Sequence, residues 1–249
     1  MILNFYIKFL KIIKISIFSI SLLLFMFYSK YILNYNNKSL YHKYNNFVCN
    51  KIFNINITLK SKIPKLTKPH IIMVNHYNIT DSIIIKKILG LHLYTICKSD
   101  LVTSENTVLP ILNYLEKTFF DTLSIITYVR NNKKSGSDVK EKILDKINEG
   151  EHILIFPEGT CHRDGIPKSF KNGIFYLCHE NNIPILPLTL KFDKDIGLER
   201  EDTFNIYDVF DTNVEVYIHN VESDSKSMEE LKNKTFNKII SPFKKVKID

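Results

Sequence analysis

The chain has 249 residues, 45% of them hydrophobic, which is enough for one α/β domain with a sizeable core plus an appendage. Its four cysteines have no CxxC spacing and so give no disulfide framework, and the two Cys–His neighbours, Cys161–His162 and Cys178–His179, lack zinc-ligand spacing. The net charge of +8 is unevenly spread: residues 1–80 hold eleven lysines and no acid, so the +11 there leaves −3 for residues 81–249. A basic amino-terminal third points to an anionic partner, a membrane surface or a nucleic acid.

The first element favours the membrane. Ile15–Tyr28 is free of charge, and the wider segment from Ile12 to Leu33 admits only Lys14 and Lys30. As a helix it would span about 33 Å at ~1.5 Å per residue, against a hydrocarbon core of roughly 30 Å. Both lysines are placed to snorkel to the headgroups. No small-residue cleavage site follows Tyr28, which argues for an anchor over a signal peptide. Lys8, Lys11 and Lys14 on one side balance Lys30, Lys38 and Lys43 on the other, so charge sets no orientation.

Residues 1–33 are therefore expected to anchor the chain, 34–68 to form a polar and basic connector, and 69–249 to fold as one domain. In that domain, apolar runs at His70–Val74, Tyr94–Cys97, Ser124–Val129, Ile153–Phe156, Ile185–Leu190 and Val214–Ile218 read as strands. Helical spacing is found at Ser82–Leu89, Val108–Phe119, Ser137–Asn148, Phe170–His179 and Ser227–Ile240. The alternation predicts an α/β sandwich around a mostly parallel sheet flanked by helices. Ligands of such sheets gather past the carboxyl ends of the strands. His76, Arg130 and Glu158 each lie just past a predicted strand end, and together they suit an anionic substrate that needs a general base.

Four segments carry a family resemblance. "NHYNITD" at Asn75–Asp81 fits the NHxxxxD signature of the glycerolipid acyltransferases, and "FPEGT" at Phe156–Thr160 matches their second signature. "FKNGIFYL" and "IPILPL" resemble the two blocks that follow, so the resemblance runs from about Pro69 to the last helix. It is closest to the 1-acylglycerol-3-phosphate acyltransferases, membrane proteins that use acyl-CoA or acyl-carrier protein without a metal or other cofactor. Four positions depart from the pattern. Ser124 stands where glycine is usual, Thr127–Tyr128 replaces an aromatic or aliphatic pair, and Cys161 replaces an arginine, with Arg163 two residues later.

The resemblance implies that a glycerol hydroxyl of a lysophospholipid attacks an acyl thioester. His76 takes the hydroxyl proton, and Asp81 fixes the imidazole tautomer, as in a triad whose serine is supplied by the acceptor. Arg130 offers a planar fork to the acceptor phosphate. Glu158 is expected in the acceptor site, on a free hydroxyl or a basic phosphate ligand, with Gly159 and Thr160 beside it in the same turn. The implied location is an endoplasmic-reticulum or related endomembrane. A sequon at Asn78, two residues from His76, favours a cytosolic active site. No oligomeric state is implied. Alternatives are a glycerol-3-phosphate or other lysophospholipid acyltransferase, a transacylase, and an inactive lipid-binding scaffold. A nucleic-acid partner is disfavoured because the lysines cluster around the anchor.

Overall fold

The computed structural model describes residues 2–31, 38–78, 80–98, 123–129, 132–162, 164–193 and 209–244. Among them, seven strands form one sheet: β1 (Asn56–Leu59), β2 (Ile71–Val74), β3 (Leu93–Lys98), β4 (Ile125–Tyr128), β5 (His152–Ile155), β6 (Ile185–Phe192) and β7 (Asn213–Ile218). Their order is β1-β7-β6-β2-β5-β3-β4. All neighbours are parallel except β6 and β7. The predicted α/β sandwich with a mostly parallel sheet is therefore what forms.

The central strands are apolar on both faces because helices cover both. On β2, Ile72 and Val74 enter one core while Ile71 and Met73 enter the other. The helices are α1 (Ile2–Tyr31), α2 (Lys38–Phe47), α3 (Thr80–Leu89), α4 (Lys133–Asn148), α5 (Asn172–Glu180) and α6 (Met228–Ile240). The first core takes residues from α3 and from a π-helical turn, Val48–Ile52, that follows α2; the second takes residues from α4, α5 and α6. The predicted helix at Val108–Phe119 lies outside the described residues.

The stretch read as a connector is folded onto the domain over its described part. β1 pairs with β7, from Asn56↔Asn213 to Leu59↔Val216. Tyr41 of α2 and Val48, Cys49, Ile52, Phe53 and Ile55 after it are buried. The apolar side chains at 41, 44 and 48 recur at helical spacing, and those at 53, 55, 57 and 59 alternate as in a strand, but both patterns are diluted by asparagines.

Helix α1 is long and apolar enough over Phe9–Tyr28 to cross a membrane. One face of it packs on the domain. Phe18 meets Phe53 with ring centroids 5.4 Å apart, and Phe25 stacks on Tyr44 at 4.3 Å. The remaining surface stays apolar and open, with Leu24 65% exposed beside Ile20, Leu23 and Phe27. Lys14 places its Nζ 5.6 Å from the centre of the Phe210 ring. A cation gains there from the ring's quadrupole.

Candidate active site

Chain direction decides where the site lies. Strands β2 and β5 are adjacent and parallel, in register from Ile71↔Ile153 to Met73↔Ile155, so their carboxyl ends emerge side by side. His76 lies two residues past one, Glu158 three residues past the other.

The chain leaves the sheet at Asn75. Its fully buried side chain donates from Nδ2 to the carbonyls of Leu190, at 2.9 Å, and Gly165, at 2.8 Å, and its Oδ1 accepts from the Leu190 amide at 2.8 Å. The last backbone pair between β2 and β6 is Val74↔Leu188. The Asn75 amide thus continues the ladder by one step while the backbone turns away.

That turn delivers His76 to Asp81. His76 Nδ1 donates to Asp81 Oδ2 at 2.7 Å, and the same oxygen accepts from the amides of Tyr77, at 2.7 Å, and Asn78, at 2.9 Å. Because a carboxylate only accepts, Nδ1 carries the proton and Nε2 is left for other partners. Asp81 is fully buried in the first turn of α3, where the helix dipole favours a negative charge. Asn78 prepares this helix start: its Oδ1 accepts from the amide and the hydroxyl of Thr80, at 2.8 and 2.7 Å. The imidazole plane is fixed by Phe156, stacked at 3.9 Å between centroids with 12° between planes.

Glu158 is only 3% exposed. Its Oε1 accepts from the His76 amide at 3.0 Å, its Oε2 accepts from the Lys168 amide at 3.1 Å, and His162 Nε2 lies 3.2 Å from Oε2. Both oxygens are thus engaged in tying the loop after β2 to the loop after β5. These are scaffolding contacts, and His162, read from sequence as a surface or structural residue, is part of them. The Gly159 amide closes the turn on the Phe156 carbonyl at 3.0 Å with φ +70, a conformation that glycine adopts without strain. Thr160 is half-buried in the same turn. Just beyond it, the His162 amide donates to the His76 carbonyl at 3.0 Å. Arg130 and Arg163 lie outside the described residues.

Two ionisations are displaced. Burial of the His76 ring disfavours its charged form, but the hydrogen bond to Asp81 and the influence of the neighbouring Cys161 outweigh that and raise it to about 10. Burial raises Glu158 to about 7 from its ordinary 4.5; the amides of Lys168 and His76 and the charge on His76 work against this, and Asp81 adds to it. A carboxyl raised in the folded state holds its proton more tightly there than in the unfolded chain. Its stabilising contribution is full below about 4.5 and is lost as pH rises to about 7. At ~1.36 kcal/mol per unit the loss reaches roughly 3 kcal/mol. Glu158→Gln does not titrate, so the stability advantage of the wild type over it should shrink by up to that amount between about pH 5 and pH 7.5. Thermal unfolding of both proteins across that range checks this, and a gap that stays flat or widens with pH would refute it.

Asn75, Phe156 and Asn78 carry the geometry although only their neighbours in the motifs drew attention as site residues. The signal for Asn75 was a polar amide directly after an unbroken apolar strand. Among the described residues, no three His, Cys, Asp or Glu side chains gather to hold a metal ion.

Comparison with known proteins adds an independent line. The family described as Acyltransferase matches residues 54–191. A 1-acyl-sn-glycerol-3-phosphate acyltransferase of Borreliella burgdorferi is 28% identical over 165 residues, 66% of this chain and 58% of that protein. A chloroplastic 1-acyl-sn-glycerol-3-phosphate acyltransferase of Arabidopsis thaliana is 26% identical over 138 residues, 55% of this chain and 36% of that protein. The chain thus spans between about a third and three fifths of these two relatives' lengths. The crystal structure of PlsC, the 1-acyl-sn-glycerophosphate acyltransferase of Thermotoga maritima, superposes with a TM-score of 0.67 at 18% identity, covering 98% of both chains. That likeness is one of fold. The family match covers more than half of the sequence and encloses both loops at the strand ends, so the chain belongs to the acyltransferase family.

Proposed function

We propose that this protein moves a fatty acyl group from an acyl thioester to the free hydroxyl of lysophosphatidate, giving phosphatidate. The observation that carries the reading is the buried 2.7 Å contact between His76 Nδ1 and Asp81 Oδ2. It leaves Nε2 as the basic atom on the half-open side of the ring, whose side chain is 20% exposed. A hydroxyl is a poor nucleophile at neutral pH, and a base that takes its proton as the ester bond forms contributes ~10²–10⁴-fold. Asp81 holds the tautomer and stabilises the imidazolium that results. The names of the similar proteins support lysophosphatidate as acceptor and an acyl ester of it as product. The open apolar face of α1 supports action at a membrane, where both lipids reside.

The deciding experiment uses the purified full chain in phospholipid vesicles. Labelled palmitoyl-CoA, and separately palmitoyl-carrier protein, is offered with lysophosphatidate, glycerol-3-phosphate or lysophosphatidylcholine. Labelled phosphatidate should form fastest. A faster product from another acceptor would reassign the substrate, and no labelled lipid from a folded protein would end the reading.

Arg130, just past β4, is assigned to the acceptor phosphate. If it binds ground and transition states alike, Arg130→Ala should raise the acceptor KM about ten- to 150-fold, the equivalent of a charged hydrogen bond of roughly 1.5–3 kcal/mol. The kcat should change less, and the donor KM hardly at all. Loss of kcat at saturating acceptor would remove Arg130 from this role.

A further inference from the structure

At the end of the sheet opposite His76, three adjacent strands bring a carboxylate, an imidazole and a hydroxyl together. Glu151, His92 and Ser124 stand directly before β5, β3 and β4, which lie side by side in that order. These strands run parallel to each other and to β2, so the three residues share the amino edge, whereas His76 follows the carboxyl end of β2. His92 Nδ1 lies 3.2 Å from Glu151 Oε2, and His92 Nε2 lies 2.6 Å from Ser124 Oγ. Because an ionised carboxylate only accepts, Nδ1 carries the proton and Nε2 accepts from the Ser124 hydroxyl. Those are the contacts of a serine, its base and the carboxylate that orients the base.

The ring is held edge-on by Tyr41 of α2, at 5.0 Å between centroids, and by Tyr94, at 5.2 Å. Ser124 has φ +54, a conformation that side chains rarely adopt. Glycine, the usual residue here in the pattern that this chain resembles, takes it without strain, so the turn itself does not call for a hydroxyl. Strain of this kind clusters at functional sites, where the surroundings hold it. Here Lys86 of α3 donates from Nζ to the Leu123 carbonyl at 2.9 Å, and the Thr95 amide donates to the Ser124 carbonyl at 2.8 Å. Thr95 also keeps a buried hydroxyl that has no partner among the described residues, a donor that a substrate oxygen would satisfy. Ser124 is 3% exposed, and the trio meets solvent at the side chains of His92 and Glu151, 11% and 17% exposed. So narrow an edge suits a small acyl group better than a lipid chain.

We propose that Ser124, His92 and Glu151 form a second catalytic site, which hydrolyses small carboxylic esters; it goes beyond the acyl transfer proposed above and does not depend on it. In the first step the Ser124 proton passes to His92 Nε2, and Oγ attacks the ester carbonyl. The bond from Oγ to the acyl carbon forms, the ester C–O bond breaks, and the leaving alcohol takes the proton from His92. In the second step a water gives a proton to His92, and its oxygen attacks the acyl-Ser124 carbonyl. The bond to Oγ breaks, and Ser124 recovers the proton. Ester and water become acid and alcohol, with no redox partner. Glu151 keeps the imidazole in the reactive tautomer through both steps.

The test uses the full chain in detergent with a small alkyl fluorophosphonate, which phosphonylates activated serines with loss of fluoride. Intact mass and peptide mapping read the adduct, and release of p-nitrophenolate from p-nitrophenyl acetate is followed in parallel. One phosphonyl group should appear, on Ser124, and it should stop ester hydrolysis, while the heat-unfolded chain stays unlabelled. Ser124→Gly suits the turn, so it should fold and lose both signals. His92→Ala should slow labelling at least about a hundredfold, the low end of the general-base range, and Glu151→Gln should slow it as well. A trio that only supports the fold would lower Tm in these variants and leave the wild type unlabelled. If Ser124→Gly fails to fold, the adduct mapped on the wild type and its rate in His92→Ala still decide. The proposal is overturned by a wild type without adduct, by an adduct on another residue, or by equal labelling of the heat-unfolded chain. An adduct on Ser124 without ester turnover, or undiminished turnover in folded Ser124→Gly, overturns it too.

Discussion

Replacing His76 with alanine should lower kcat for acyl transfer by at least about a hundredfold, the low end of the general-base range. The ring makes one buried bond to Asp81 and one stack on Phe156, and its backbone groups, which bond Glu158 and His162, survive the substitution. The fold should therefore hold while turnover falls. Asp81→Asn should also lower kcat, by as much as the ~10⁴ known for the equivalent change in a serine triad, because the carboxylate that balances the imidazolium is lost. The pH profile separates this from simple misfolding. The base works unprotonated, and His76 is held near 10 partly by Asp81, so kcat/KM of the wild type should climb with pH toward that value. Without Asp81 the imidazolium loses support, its pKa falls, and the rising limb should move to lower pH. A folded His76→Ala protein with near-normal turnover, or an Asp81→Asn limb that stays in place, would count against the assignment.

The sheet was legible from sequence wherever strands are buried on both faces. "IIMV", "HILI" and "ILPLTL" are mostly apolar runs close to Asn, Gly or Pro, and each forms a strand within two residues of the expected span. β1 was not legible because an edge strand needs only one apolar face, and in "NINITL" the other face is asparagine and threonine in a chain rich in both. His76 and Asp81 were legible together because their separation bridges a strand end and a helix start. Glu158 could be named but not understood. Its partners are backbone amides at His76 and Lys168, and no pattern of side chains announces which amide a folded loop will present.

Asn75→Ala should be the most damaging substitution outside the reacting groups. The side chain makes three hydrogen bonds at 2.8–2.9 Å, two of them to the amide and carbonyl of Leu190 in the middle of the sheet. Leu190 and Asn75 are both fully buried, so no water replaces what alanine removes. Each buried group left unpaired costs ~1–3 kcal/mol, and two at Leu190 together cost roughly 2–6 of the ~5–15 kcal/mol that holds an ordinary domain. The third bond, to the Gly165 carbonyl, pins a loop that leaves no spare room. A Cβ added at Gly165, where φ is +61, would lie 1.5 Å from the Tyr77 ring. Freed from Asn75, this loop and the Tyr77 backbone that feeds Asp81 should loosen together. The folded fraction of Asn75→Ala should then show a lower kcat as well as a lower Tm, although the residue touches no substrate. Asn75→Asp should fare no better, since a carboxylate facing two carbonyl oxygens repels where the amide donated. Denaturant unfolding measures the first effect and single-turnover acyl transfer the second. A change in stability below about 0.5 kcal/mol, the usual range for surface substitutions, would mean that β6 does not depend on this amide to complete its ladder.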